Sequence, residues 1–190
     1  MTIAEFKRIA RDQYGSAAIA APDRTGLFDT AKDNLGMVAA YLCDGDMFLS
    51  SGDAVNALAA FSYALGWLHC GAACGLFMIQ DAACPFREPQ ERLPGALLDK
   101  LAEKTCRYNR LLATAAGAVS PAAEAGTVPC RTAARVHLVV TFYAGQGGRF
   151  LSQNRTEDAL ACFSYGHGWL DAGVRAGLFG ITASRDLFTV

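Results

Sequence analysis

Three side chains invite a catalytic reading. Ser164, His167 and Asp171 stand at i, i+3 and i+7 of one stretch, a spacing that gathers them on one face of a helix. A serine nucleophile needs a base within hydrogen-bond reach, and the base needs an orienting acid. The types are present, but no residue pattern nearby supplies an oxyanion hole. The stretch is also written twice. FSYGHGWL at 163–170 repeats FSYALGWL at 61–68, identical at six of eight positions and 102 residues away. In the first copy Leu65 stands for His167 and His69 for Asp171. The expectation is that neither copy is catalytic.

His69, Cys70, Cys74 and Cys84 form a second candidate set, since cysteine and histidine at such spacing can hold zinc. The second copy has Ala172 and Ala176 opposite Cys70 and Cys74. Cysteine also packs as a small apolar residue, so no metal and no cofactor is expected.

Charge gives the third set. Residues 1–91 carry 6 basic and 11 acidic side chains, net −5, and residues 92–190 carry 11 and 7, net +4. Lys100, Lys104 and Arg107, with Arg110 beside them, line one side of a helix. They read as a solvated face, as a surface docked on the acidic half, or as a site for a phosphate-bearing partner such as RNA. Strong nucleic-acid binders are usually basic overall, whereas this chain has a net charge of −1. Tyr63 and Tyr165 carry the polar tips favoured at interfaces. Lys100, Lys104, Arg107, Tyr63 and Tyr165 are the candidate interaction residues.

The elements that position these residues follow from the repeat. At an offset of 102, about half the positions from Tyr41 to Ile79 match without a gap, the mark of a tandem duplication. Each copy reads as three helices. In the first copy these cover residues 3–20, 30–51 and 53–80. In the second, the first helix covers 96–116 and the third 156–183. Gly52 and Asn154 occupy matched positions, and both types tolerate the left-handed conformation of a helix end. Asp53 can cap the next helix. Matched glycines at 66, 71 and 75, and at 168, 173 and 177, read as lying inside helices. Gly71 and Gly75 then form a face that a neighbouring backbone or a ligand can approach closely.

The fold class is therefore all-α, two three-helix up-and-down bundles related by internal duplication. They divide as 1–83 and 95–190, with a proline-rich linker at 84–94. Trp67 and Trp169 should be buried, and the first copy should pack on the second as a pseudo-twofold pair. Residues 57–79 carry no formal charge, long enough to cross a bilayer. Their partners at 159–181 include Asp171 and Arg175, whose charges are costly at mid-bilayer, so no membrane span is expected. No signal-peptide pattern opens the sequence. Seven cysteines, an odd number, suit a reducing compartment.

The phrases YLCDGDMFLSSGDAVNALAAFSYALGWLHCGAACGLF and FLSQNRTEDALACFSYGHGWLDAGVRAGLF resemble the archaeal family catalogued as domain of unknown function 357. The resemblance covers the last two helices of each copy best. It implies a three-helix bundle, an archaeal source and a cytoplasmic location, and no activity. It also implies an acid after Trp-Leu, here Asp171 but His69 in the first copy. A second acid is implied three residues after the tyrosine of the second helix, here Asp44 but Gln146 in the second copy. Neither copy carries both. The expected function is a non-enzymatic helical scaffold or protein-interaction module with an unidentified protein partner. A nucleic-acid-associated protein using the basic stripe is the alternative, and an enzyme using Ser164, His167 and Asp171 the remote one.

Overall fold

The computed structural model describes residues 1–81, 86 and 88–189. The first copy contains α1 (Ile3–Gly15), β1 (Ala18–Ile19), α2 (Gly26–Ser50), α3 (Ala54–Ala73) and β2 (Phe77–Met78). The second contains α4 (Leu98–Gly117), β3 (Val119–Pro121), α5 (Val128–Ser152), α6 (Thr156–Arg175) and β4 (Phe179–Ile181). The element order is the same in both. Short 3-10 turns at Gly95–Leu97 and Arg185–Leu187 precede α4 and follow β4.

Burial separates the helices by role. On α1 a single stripe is buried, Ile3, Phe6, Ala10 and Gln13, as an amphipathic surface helix requires. On α4 the stripe is Leu101, Thr105, Leu112 and Ala115. In contrast, α3 is buried on every side from Ala57 to Gly71, and α6 from Glu157 to Gly173. A helix apolar all round belongs in a core, which explains the uncharged stretch at 57–79. Among the described residues no helix is long and apolar enough to cross a membrane.

The two central helices make the most extensive helix–helix contact in the molecule. They cross at Gly66 and Gly168. A Cβ on Gly66 would lie 2.3 Å from the Tyr165 carbonyl oxygen, and one on Gly168 would lie 2.3 Å from that of Tyr63. The close backbone approach expected at Gly71 and Gly75 is therefore at Gly66 and Gly168 instead. A Cβ on Gly71 would meet the Phe77 ring at 2.4 Å, so that face is filled from within its own copy. Gly75 and Gly177 lie outside the helices, with φ of +75° and +74°. They turn the chain out of α3 and α6.

The third helices thus end earlier than the periodicity predicts, and the following residues form strands. β1 pairs antiparallel with β2, Ile19 opposite Phe77, and β3 with β4, Pro121 opposite Phe179. These matched ribbons tie the first helix of each copy to the third. No alternation announces them, because each is only two or three residues long. Gly52 and Asn154 take φ of +80° and +58° as the repeat predicts, and the Asp53 side chain accepts from the Asn56 N–H. Trp67 is fully buried and Trp169 nearly so.

Candidate functional site at the junction of the copies

At the α3–α6 crossing, Tyr63 meets Asp171, Gly66 meets Gly168, and His69 meets Tyr165. The helices therefore run in opposite directions about a local twofold axis. Each copy contributes its tyrosine to the polar residue of the other. Tyr63 donates its hydroxyl hydrogen to Asp171 Oδ2. Tyr165 Oη lies 2.7 Å from His69 Nδ1, and His69 Nε2 lies 2.7 Å from Gln13 Oε1. Gln13 donates its amide to the Asp81 carbonyl at 2.9 Å, so its oxygen faces the histidine. That network makes His69 Nε2 the protonated nitrogen and Nδ1 the acceptor from Tyr165. Histidine and aspartate at the matched positions accordingly play the same part, each accepting from the tyrosine of the other copy.

The aromatic neighbours repeat as well. Tyr41 meets Tyr63 with ring centroids 4.3 Å apart, and Tyr143 meets Tyr165 at 4.5 Å. There the likeness ends. Around Tyr63 lies a cavity of about 320 Å3, lined by Tyr41 and Asp44 of α2, Asn56 and Tyr63 of α3, Lys104 and Tyr108 of α4, and His167 and Asp171 of α6. Leu187 and Thr189 close one side. Around Tyr165, Phe86 takes the space, with its ring centroid 5.0 Å from Tyr165, 5.4 Å from Tyr143 and 5.9 Å from Phe6.

This arrangement reunites the two acids. Asp44 belongs to the first copy and Asp171 to the second, and both line the one cavity. The matched pair, Gln146 and His69, belongs to the other side of the axis. Sequence reading compared acids within a copy, whereas the site is shared between copies.

Within the cavity, Asp171 Oδ2 accepts from Tyr63 and, at 3.2 Å, from the Thr189 hydroxyl. Asp171 Oδ1 and His167 Nε2 lie 3.9 Å apart, and both are buried without a hydrogen-bond partner among the described residues. The cause can be read from the repeat. His69 spends its second nitrogen on Gln13, whose matched residue is Ala115, a side chain with nothing to donate. Burial pushes the Asp171 carboxyl above its usual range, opposed by the His167 charge and the Tyr63 and Thr189 hydrogen bonds. Burial, and then Asp171, raise the Tyr63 hydroxyl well above its usual value, so Tyr63 stays a donor. Burial lowers His69 to about 4. Burial and the neighbouring Arg107 lower the Lys104 ammonium. Perturbed groups converging on a cleft of this size are the usual mark of a binding site.

The other candidates fall as follows. Lys100 bridges to Asp53 at 2.7 Å and Lys104 donates to Asn56 Oδ1, so the stripe reaches across to the first copy. Arg107 stays half exposed, 3.9 Å from Glu103. Ser164 Oγ is buried without a partner among the described residues, so serine, histidine and aspartate do not form a relay. Cys70 and Cys74 sulfurs lie 4.0 Å apart. Burial raises the Cys70 thiol, while the Cys70 hydrogen bond lowers Cys74. Cys84 lies outside the described residues. Among the described residues no three His, Cys, Asp or Glu side chains gather as metal ligands would. The residues missed by sequence reasoning are Tyr41, Asn56, Tyr108 and Thr189, and only the coordinated acid loss hinted at them.

Fold and site together define a duplicated all-α protein whose copies share one polar pocket at a pseudo-twofold crossing. The chain belongs to the family described as "Protein of unknown function (DUF357)", whose model matches residues 5–77 and again 107–179. No curated protein and no solved structure matches it.

Proposed function

We propose that the chain is a non-enzymatic helical module that binds one small ligand in the pocket shared by its copies. The observation that carries this reading is the division of acids. Asp44 and Asp171 share one cavity, while the opposite side has Gln146 and His69 and is occupied by Phe86. A merely structural junction gives no reason for keeping polar groups unpaired on one side. Burying an unpaired polar atom costs about 1–3 kcal/mol, and a bound partner removes that cost. Ser164 lacks a base, which weighs against hydrolysis. Lys100 and Lys104 are engaged by Asp53 and Asn56, which weighs against RNA. The reading as a protein-interaction scaffold rests on Leu138 and Phe142, exposed one turn apart on α5. The six described cysteines are unbridged. With the family resemblance, they support an archaeal, cytoplasmic protein as part of this reading. Native mass spectrometry of the full chain against a library of small polar compounds tests it. The expected result is a ligand bound at one equivalent. No adduct, or two equivalents of the same ligand, overturns it.

A further inference from the structure

The chemistry of the unpaired atoms says what the ligand presents to them. Asp171 Oδ1 can accept two hydrogen bonds, and its oxygen partner Oδ2 is already occupied by Tyr63 and Thr189. His167 Nε2 stands 3.9 Å away. Both side chains are more than nine-tenths buried, so bulk water does not satisfy them. A single atom with two hydrogens can bridge a carboxylate oxygen and a neutral imidazole nitrogen at this separation, reaching both at ordinary hydrogen-bond length, about 2.8–3.0 Å. A tetrahedral nitrogen meets that demand. Charge narrows the choice. Asp44 and Asp171 outnumber Lys104 among the ionic side chains of the wall, and Lys104 is turned to Asn56 and the Tyr108 ring, 5.0 Å from its centroid. Tyr41, Phe48, Tyr63 and Tyr108 supply aromatic surface, whose faces attract cations.

Building on the small-ligand reading, we propose that the pocket binds an organic primary ammonium, its nitrogen held between Asp171 Oδ1 and His167 Nε2. The ammonium takes the place of the His167 charge and donates one hydrogen to Asp171 Oδ1 and one to the Nε2 of a neutral His167 protonated at Nδ1. Its carbon skeleton lies along Tyr41, Tyr63 and Tyr108. Asp44 adds a second negative charge at the mouth without touching the nitrogen. The mirror side cannot do this, because Leu65 stands for His167 and His69 has no free nitrogen.

The test is titration calorimetry on the full chain with three amines, ethylamine, phenethylamine and 1,4-diaminobutane. Each is compared with the alcohol of the same skeleton. At least one amine should bind at least ten-fold tighter than its alcohol. Asp171→Asn keeps an acceptor for Tyr63 and Thr189 but removes the charge, and should weaken that amine ten-fold or more. His167→Leu copies the first copy's residue and should also weaken it. Val128→Ala, at the exposed start of α5, should leave binding unchanged. An alcohol binding as tightly as its amine, or an amine indifferent to both pocket variants, overturns the ammonium assignment and leaves the small-ligand site standing. No binding by any of the six compounds, with adducts still seen from the polar library, also overturns the ammonium. The same silence with no library adduct overturns both readings.

Discussion

The two sides of the α3–α6 axis began as copies and now differ in kind. One holds Tyr63, Asp171, His167 and Asp44 around a cavity. The other holds Tyr165, His69, Leu65 and Gln146, with Phe86 packed among its aromatic rings. The tyrosine-to-acceptor hydrogen bond survives on both sides, because it joins the copies. What differs is the acceptor's second atom. His69 has Gln13 for it, and Asp171 Oδ1 has no hydrogen-bond partner among the described residues. Duplication inside one chain allows this division, since one side can be given to stability while the other keeps open polar groups. A symmetric dimer of single copies could not separate the two tasks.

The comparison is broken most completely at the crossing itself. Gly66→Val would place carbon where the Tyr165 carbonyl stands, 2.3 Å away, and both sides would open together. Denaturant unfolding should show a loss of about 3 kcal/mol or more. Gly145 on α5 has nothing within 4 Å of its missing Cβ, and Gly145→Ala should instead gain about 0.5–1 kcal/mol. A Gly66→Val chain as stable as the parent would show that the central helices do not meet there.

Next in size is the pH dependence of the filled side. His69 titrates at about 4 in the fold against 6.5 ordinarily. The unfolded chain takes up its proton first, so His69's contribution is intact above pH 6.5 and is lost as pH falls towards 4. The shift corresponds to about 3 kcal/mol when complete. Asp171 works in the opposite sense, since its raised carboxyl takes a proton in the fold before the unfolded chain does. His69→Gln should flatten the decline between pH 6.5 and 4 in chemical denaturation. An unchanged slope would mean that His69 is charged in the fold.

Phe86→Ala sharpens the contrast. Losing a half-buried ring that touches Phe6, Tyr143 and Tyr165 should cost about 2 kcal/mol, less than the 3–5 of a fully buried one. Native mass spectrometry should still show one ligand, because the emptied side lacks the acid pair. A second equivalent would mean that shape alone, not Asp44 and Asp171, selects the site. The smallest effect belongs to the rim. Lys100 and Asp53 are partly solvated, and Lys100→Ala should change stability by no more than about 0.5 kcal/mol in the same unfolding measurement.

Much of the fold was legible in the sequence. The gapless offset located both bundles, and the matched Gly52 and Asn154 marked the ends of α2 and α5. The ribbons were not legible, because two or three residues cannot display a period. The role of Gly75 and Gly177 was hidden by apolar residues that continue past them. The site was legible only in part. Tyr63 and Lys104 stood out by type as interface candidates, whereas His167 and Asp171 read as a set within one copy. Their meeting depends on a crossing at Gly66 and Gly168, which no local pattern specifies. The signal available was reciprocal: each copy lacks the acid that the other keeps.

That one side binds and the other does not is tested most directly by amide nuclear magnetic resonance. The labelled full chain would be titrated with any compound found bound by mass spectrometry. The shared-site account predicts saturable shifts at Tyr41, Asp44, Asn56, Lys104 and Asp171, with Phe6, Phe86 and Tyr143 unmoved. Shifts centred on Phe6, Phe86 and Tyr143, or spread equally over both sides of the axis, would contradict it.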